Sequence, residues 1–481
     1  MIAIIFFHEN NNYEIILKKM FLKHKNKKSA IIFTIFFAIS LIFNIAFSSS
    51  SFANPSIIRD REIEKFLYQL SKPIFLEAGL NPDEIKIYII NDDSINAFVS
   101  QGQKIFINTG LIRKFNTPDA LIGVIAHETG HIASGHLARS REGMKEAENA
   151  MLLSYLLGIG AVVGGSVDAG SALILGGSQS AQRLMMKYTR TQEEAADSLA
   201  IDYLGKLSYP ATGLVDLLNY FSSQMIGYKD HIDEYMLSHP ISAKRVELIK
   251  ARTAKEHFSS AKINKKLQPD MDITLAKLEG FLERPEDLIK KYKNSDNFIG
   301  KYIKAIAYFR QGELSLSLEN IDALIKEKPK QGFLYDLKGQ ILFESSKNQE
   351  AIIAYNQAIS RLNPVDSALT KISFALSILS LKNSDEELIQ LAISRLKEAQ
   401  KFEDDNPILF KNLATAYAKL NDETNASLAL AEFNLLINDK DKCLKLLKKL
   451  EKNLDKKNPN YQQQLLYASD LKQFCTKDDD K

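Results

Sequence analysis

His127-Glu128-Thr129-Gly130-His131 places two imidazoles and a carboxylate within five consecutive residues. Residues four apart share one face of an α-helix, so His127 and His131 can grip a single metal ion there. Glu128 is rotated from that pair, yet stays close enough to take a proton from water activated at the metal. With eight histidines in 481 residues, such a pattern arises by chance on the order of once in a hundred chains. An exposed polar helix is the competing reading, and it fits poorly beside Leu121, Ile122, Val124, Ile125 and Ala126. Thr117-Pro118-Asp119 supplies an N-cap, a proline at the first helical position and an early acid, while Gly130 and Gly135 weaken the helix.

Two ligands from one helix leave a zinc site incomplete. A histidine six residues beyond His131 would extend the motif, but that position holds Leu137, and His136 sits one residue early. The better third ligand is Glu193, in Glu193-Glu194-Ala195-Ala196-Asp197, with Glu194 as the alternative. Glu193 and Asp197 are spaced to share a helical face, so one carboxylate can bind the metal while the other orients a ligating imidazole. Ala195, Ala196 and Ala200 are small enough for a second helix to approach closely. A solvated acidic helix face is the competing reading, and the histidine motif outweighs it.

Ile95-Asn96-Ala97-Phe98, Gly102 to Gly110, the H-E-x-x-H, the E-x-x-A-D and Ser238-His239-Pro240 follow in that order. This series resembles the minigluzincin peptidases related to HtpX and the CaaX prenyl proteases, and within them the periplasmic BepA-like branch with a C-terminal tetratricopeptide (TPR) array. The resemblance covers roughly residues 56 to 250 and, more loosely, the remainder. It implies an α+β zincin-like peptidase domain followed by an all-α TPR solenoid. It implies one Zn2+ per chain on His127, His131 and Glu193, Glu128 as general base and acid, and Asp197 behind the ligands. His239 matches a histidine near the metal and Arg245 a following basic residue. For His239, donation to the developing oxyanion, occupation of the open zinc position in a latent enzyme, and a simple turn-capping role all stand.

The implied reaction is hydrolysis of peptide bonds in unfolded or misassembled proteins, with the Glu128 proton passed to the leaving amine. Lys86–Ile90 and Lys104–Asn108 read as short strands with Asn96, Ala97, Phe98 and Val99 between them. The resemblance implies an open sheet edge at Asn96–Val99 that binds substrate through main-chain hydrogen bonds. A buried strand is the competing reading.

Lysines 23, 25, 27 and 28 precede an apolar stretch from Ala30 to Phe47, and Ser51-Phe52-Ala53 before Asn54 fits a cleavage site. Residues 1–53 therefore read as a secretory signal peptide, with an uncleaved anchor as the alternative and Met20 as a possible start. The expected location is the periplasm. Removing that segment leaves 56 basic and 57 acidic side chains, a balance that argues against nucleic acid as a partner. The expected organisation is a peptidase domain over 54–255, a linker with first helices over 256–295, and helical repeats over 296–481.

Residues 151–186 carry only Asp168 and Arg183 as charges among repeated glycines. They read as two short packed helices, against a mobile lid or membrane-contacting hairpin. Further on, Ala305, Ser317, Ile321 and Leu324 recur 34 residues later as Gly339, Ala351, Tyr355 and Ala358, and Pro329 and Pro364 close the two units. That period fits TPR helix pairs, each of which leaves an apolar face for the next to cover. Such an array would capture substrate or a partner, by resemblance an outer-membrane assembly machine, or serve as a structural cap. Cys443 and Cys475 are the only cysteines; a disulfide and two free thiols both fit the sequence. The rival function is a chaperone or adaptor with latent proteolysis.

Overall fold

The computed structural model describes residues 56–100, 103–136, 189–227, 239–240, 243–253, 260–454 and 458–476. The expected signal peptide and the glycine-rich segment 151–186 lie outside these residues. Among the described residues, no helix is long and apolar enough to cross a membrane.

A four-stranded sheet begins the peptidase region, with β1 (Ser56–Ile58), β2 (Lys86–Asn91), β3 (Ala97–Ser100) and β4 (Lys104–Asn108) in the order β1-β2-β4-β3. β2 and β4 run parallel with Lys86 opposite Lys104, while β3 is antiparallel to β4 with Ala97 opposite Ile107. Successive side chains in a strand point to opposite faces, and the two faces differ here. Ile89, Ile105 and Ile107 enter the core, whereas Tyr88, Phe106 and Phe98 stack across the other face at ring separations of 5.2 and 5.1 Å. β3 ends the sheet, so among the described residues its outer edge is unpaired by any strand.

Helix α1 (Arg61–Glu77) starts at Asp60, whose carboxylate accepts from the amides of Glu62 and Ile63. Its buried residues Ile63, Phe66, Leu67, Leu70 and Ile74 recur every three or four positions and form one stripe against the core. After the short helix α2 (Thr109–Lys114), helix α3 (Pro118–Ala133) passes through the centre of that core. A helix α4 through 189–206, α5 (Thr212–Gly227) and α6 (Ala243–Thr253) complete the surroundings. Helix α7 (Ser260–Leu282) faces two ways: Met271 and Leu278 join the peptidase core, while Ile273 and Ala276 join the first cluster of the following helices.

From α9 (Phe298–Gln311) to α18 (Tyr461–Thr476), after the short α8 (Pro285–Lys291), the chain is helical and pairs each helix with the next. The small residues at the 34-residue offsets sit at these pairings. A Cβ on Gly339 would lie 2.5 Å from the Tyr355 ring, and Ser317 donates to the Ala305 carbonyl at 2.6 Å. Cys443 and Cys475 are joined in a disulfide between α17 (Lys440–Asn453) and α18, which decides between the two readings of these cysteines.

Ion pairs of one polarity tie the helical array to the peptidase region. Arg59 meets Glu403 at 2.7 Å, Lys65 meets Asp366 at 2.7 Å, and Lys86 meets Asp405 at 2.7 Å. Beneath them Lys277 is buried with Asp60 at 2.8 Å and Glu62 at 3.1 Å, and Tyr302 donates to Glu62 at 2.9 Å. Burial alone would strip the Lys277 charge, but Asp60 leads a set of anionic neighbours that holds its pKa well above the usual lysine value.

Candidate metal centre

Thr117 precedes α3 in extended conformation but makes no side-chain cap hydrogen bond, so the local start signal of the helix is Pro118 in its first turn. The helix is buried on all sides from Pro118 to His131, which is why its apolar residues form no single stripe. Gly130 does not weaken it at a free surface: a Cβ there would lie 2.8 Å from the carbonyl oxygen of Ala196. The small pair Gly130 and Ala196 lets α4 run directly against the H-E-x-x-H. Glu193 and Asp197, one turn apart on α4, are thereby aimed at the two imidazoles.

His127 Nε2 and His131 Nε2 face each other at 3.1 Å. Glu193 reaches both, at 3.3 Å from His127 and 3.2 Å from His131. His239 enters from a separate segment with Nδ1 3.3 Å from His127 Nε2 and 3.2 Å from Glu193. The donor atoms of His127, His131, Glu193 and His239 all lie within 4.8 Å of one another, and all four residues are buried. Glu194, the alternative third ligand, points elsewhere and pairs with Lys244 at 3.2 Å near the surface.

Behind the cluster, Asp197 Oδ1 lies 2.9 Å from His127 Nδ1, close but not aligned as a straight hydrogen bond. Arg245 clasps Asp197 through Nε at 2.7 Å and Nη2 at 2.9 Å, and reaches Glu193 and the Pro240 carbonyl at 2.9 Å each. Arg245 is 1% exposed, so its charge acts on these carboxylates with little screening by water. On the far side, His239 Nε2 lies 3.3 Å from the Ala97 carbonyl and 3.5 Å from Glu128. That contact brings the β3 edge beside the cluster, with Asn96 and Ala97 buried and Phe98 and Val99 half-buried.

Burial pushes the Glu128 carboxyl above its ordinary value, and it disfavours the imidazolium of His131, which falls to about 4. Burial would lower His127 as well, but the adjacent carboxylates of Asp197 and Glu193 outweigh it and raise that group to about 10. Glu193 is held well below the carboxylate range despite burial, by the charge of His239 and the hydrogen bonds of the imidazoles. Asp197 is lowered despite burial by His127 and Arg245.

This donor set fits a divalent cation. Three imidazoles and the Glu193 carboxylate converge with their donor atoms within 4.8 Å of one another, and imidazole with carboxylate is a donor set suited to zinc. Both oxygens of Glu128, which is fully buried, lack a protein hydrogen-bond partner. An orphaned buried carboxylate is expensive unless a further group completes its surroundings, and it faces the cluster.

A buried imidazole–carboxylate cluster gathered from three segments beside the β3 edge has the make-up of a metallopeptidase centre. Residues 59–253 match the model of Peptidase family M48. The chain is a metalloendopeptidase related to that family. It is 22% identical over 369 residues to the beta-barrel assembly-enhancing protease of Yersinia pestis, covering 76% of this chain and 68% of the relative. The Escherichia coli K12 protein of that name is 23% identical over 322 residues, or 64% of each chain. Metalloprotease YcaL of the same strain is 27% identical over 194 residues, 40% of this chain and 70% of YcaL.

Proposed function

We propose that the chain is a zinc-dependent endopeptidase that cleaves unfolded or misassembled envelope proteins in the periplasm. The observation that carries this reading is the fully buried Glu128, with no hydrogen bond to either oxygen, beside the His127–His131–Glu193 cluster. His127, His131 and Glu193 would hold the ion, which when bound would supply Lewis-acid chemistry for the scissile carbonyl and a water of pKa about 7. Glu128 takes the proton of the attacking water and hands it to the leaving nitrogen, a role favoured by its raised pKa. Asp197 and Arg245 keep His127 and Glu193 oriented. Substrate lies extended along the β3 edge at Asn96–Val99, where main-chain pairing accepts many sequences.

The paired helices beyond residue 296 are read as a TPR array for substrate or partner capture, and the peptidase unit as 54–255 preceded by a signal peptide. The name borne by the Yersinia and Escherichia relatives supports a role in assembling outer-membrane β-barrels. The disulfide supports an oxidising compartment. His239 lies 3.3 Å from His127 and 3.5 Å from Glu128, which supports a latent resting state, with a chaperone or adaptor role as the second reading. Incubating the purified chain with unfolded casein tests the reading. Cleavage should stop with a chelator or with Glu128→Gln, and the variant should retain zinc; undiminished cleavage by it removes Glu128 from the reaction.

A further inference from the structure

His136 lies five residues beyond His131, which on a continuous helix is about 140° around the axis and out of reach. The helix does not continue. Ser134 donates back to Gly130 at 3.0 Å and Gly135 to Ile132 at 2.9 Å, and Gly135 adopts φ +63°. This left-handed closing residue turns the chain under the end of α3. His136 is thereby folded back with its Nδ1 3.0 Å from Nδ1 of His131, the rings tilted at 72°. Its main-chain oxygen accepts from Gln192 at 3.2 Å, which ties it to the helix that carries Glu193. The side chain is 4% exposed.

We infer that His136 is a positioning residue for the metal centre: its Nδ1 accepts the Nδ1–H of His131 and so presents the bare Nε2 of His131 to the ion. The inference rests on the metal reading above, because only a ligand at Nε2 forces the His131 proton onto Nδ1. One of two facing ring nitrogens must donate and the other accept. With His131 as donor, His136 is the neutral acceptor, protonated on Nε2. The two ligating imidazoles are then backed differently, His127 by the carboxylate of Asp197 and His131 by an imidazole. Outer partners of this kind fix ring orientation and raise ligand basicity.

Zinc affinity, measured by competition with a chromogenic chelator, separates this role from space-filling. His136→Asn keeps an acceptor close to the Nδ1 position, while His136→Leu fills the space without one. Affinity should fall roughly 10–100-fold in His136→Leu and stay within about threefold of the parent in His136→Asn. Thermal unfolding of the metal-stripped proteins shows whether each variant folds. Parent-like affinity in His136→Leu, or an equal fall in both variants, overturns the inference. Failure of the unaltered protein to bind zinc overturns the metal reading instead.

Discussion

Gly130, in the helix of the H-E-x-x-H, lies directly against the backbone of Ala196, in the helix of the E-x-x-A-D. A Cβ on Gly130 would meet the Ala196 carbonyl oxygen at 2.8 Å and its Cα at 3.0 Å. Within a helix, alanine is intrinsically better than glycine by about 1 kcal/mol. The clash falls on main-chain atoms that cannot rotate aside, and overpacking of that kind costs about 1–3 kcal/mol. The clash therefore wins. Gly130→Ala should lower the melting temperature and reduce metal content at limiting zinc, read by elemental analysis; a variant that is stabilised and fully loaded contradicts this account.

Arg245 is the buried cation that two carboxylates share. Arg245→Met removes it while keeping much of the volume, leaving Asp197 and Glu193 without their partner. Breaking a buried pair in this way costs about 3–5 kcal/mol. Denaturant unfolding of the chelator-treated protein should show a loss of that order. Arg245→Lys should recover only part of it, because an ammonium cannot reproduce the two-pronged contact with Asp197.

The contact between the peptidase region and the helical array should loosen in acid. Asp405 is held below its ordinary carboxylate value, against burial, by Lys86 and the Tyr88 hydroxyl at 2.7 and 2.8 Å. A carboxylate depressed in the folded state contributes stability that is fully present above its unfolded pKa, about 3.9. That contribution is lost as pH falls through the lower folded value. Hydrogen exchange at β2 and around Asp405 should rise below about pH 4, and salt should accelerate it because these groups are partly exposed. Asp405→Asn should reduce this acid dependence, with the Glu403 and Asp366 pairs supplying the remainder.

Reducing the Cys443–Cys475 disulfide should destabilise the end of the array and leave the metal centre intact. The two residues are 32 apart in sequence, and releasing a loop of that size corresponds to about 3–4 kcal/mol in the chain-entropy view. Calorimetry with and without reductant should show a lower transition for the array at unchanged zinc affinity. A matching fall in zinc affinity would mean that the two regions unfold as one unit.

What the sequence by itself determined is whatever depends on neighbours a few residues apart. The i, i+4 spacing of His127 and His131, the strands at Lys86–Ile90 and Lys104–Asn108, and the 34-residue offsets of small residues all follow from local periodicity. Glu193 and Asp197 were legible as two carboxylates one helical turn apart, His239 and Arg245 only because their short motif resembles known peptidases; the meeting of all four is a product of packing. His136 reads from the sequence as a histidine one residue too early to extend the motif, since helical geometry places it on the wrong face until Gly135 reverses the chain. The choice between Glu193 and Glu194, the disulfide between Cys443 and Cys475, and the burial of Lys277 against Asp60 and Glu62 belong to the tertiary structure alone. Each depends on which residues, distant in sequence, exclude water together, and that is settled only when helices such as α3 and α4 close on one another.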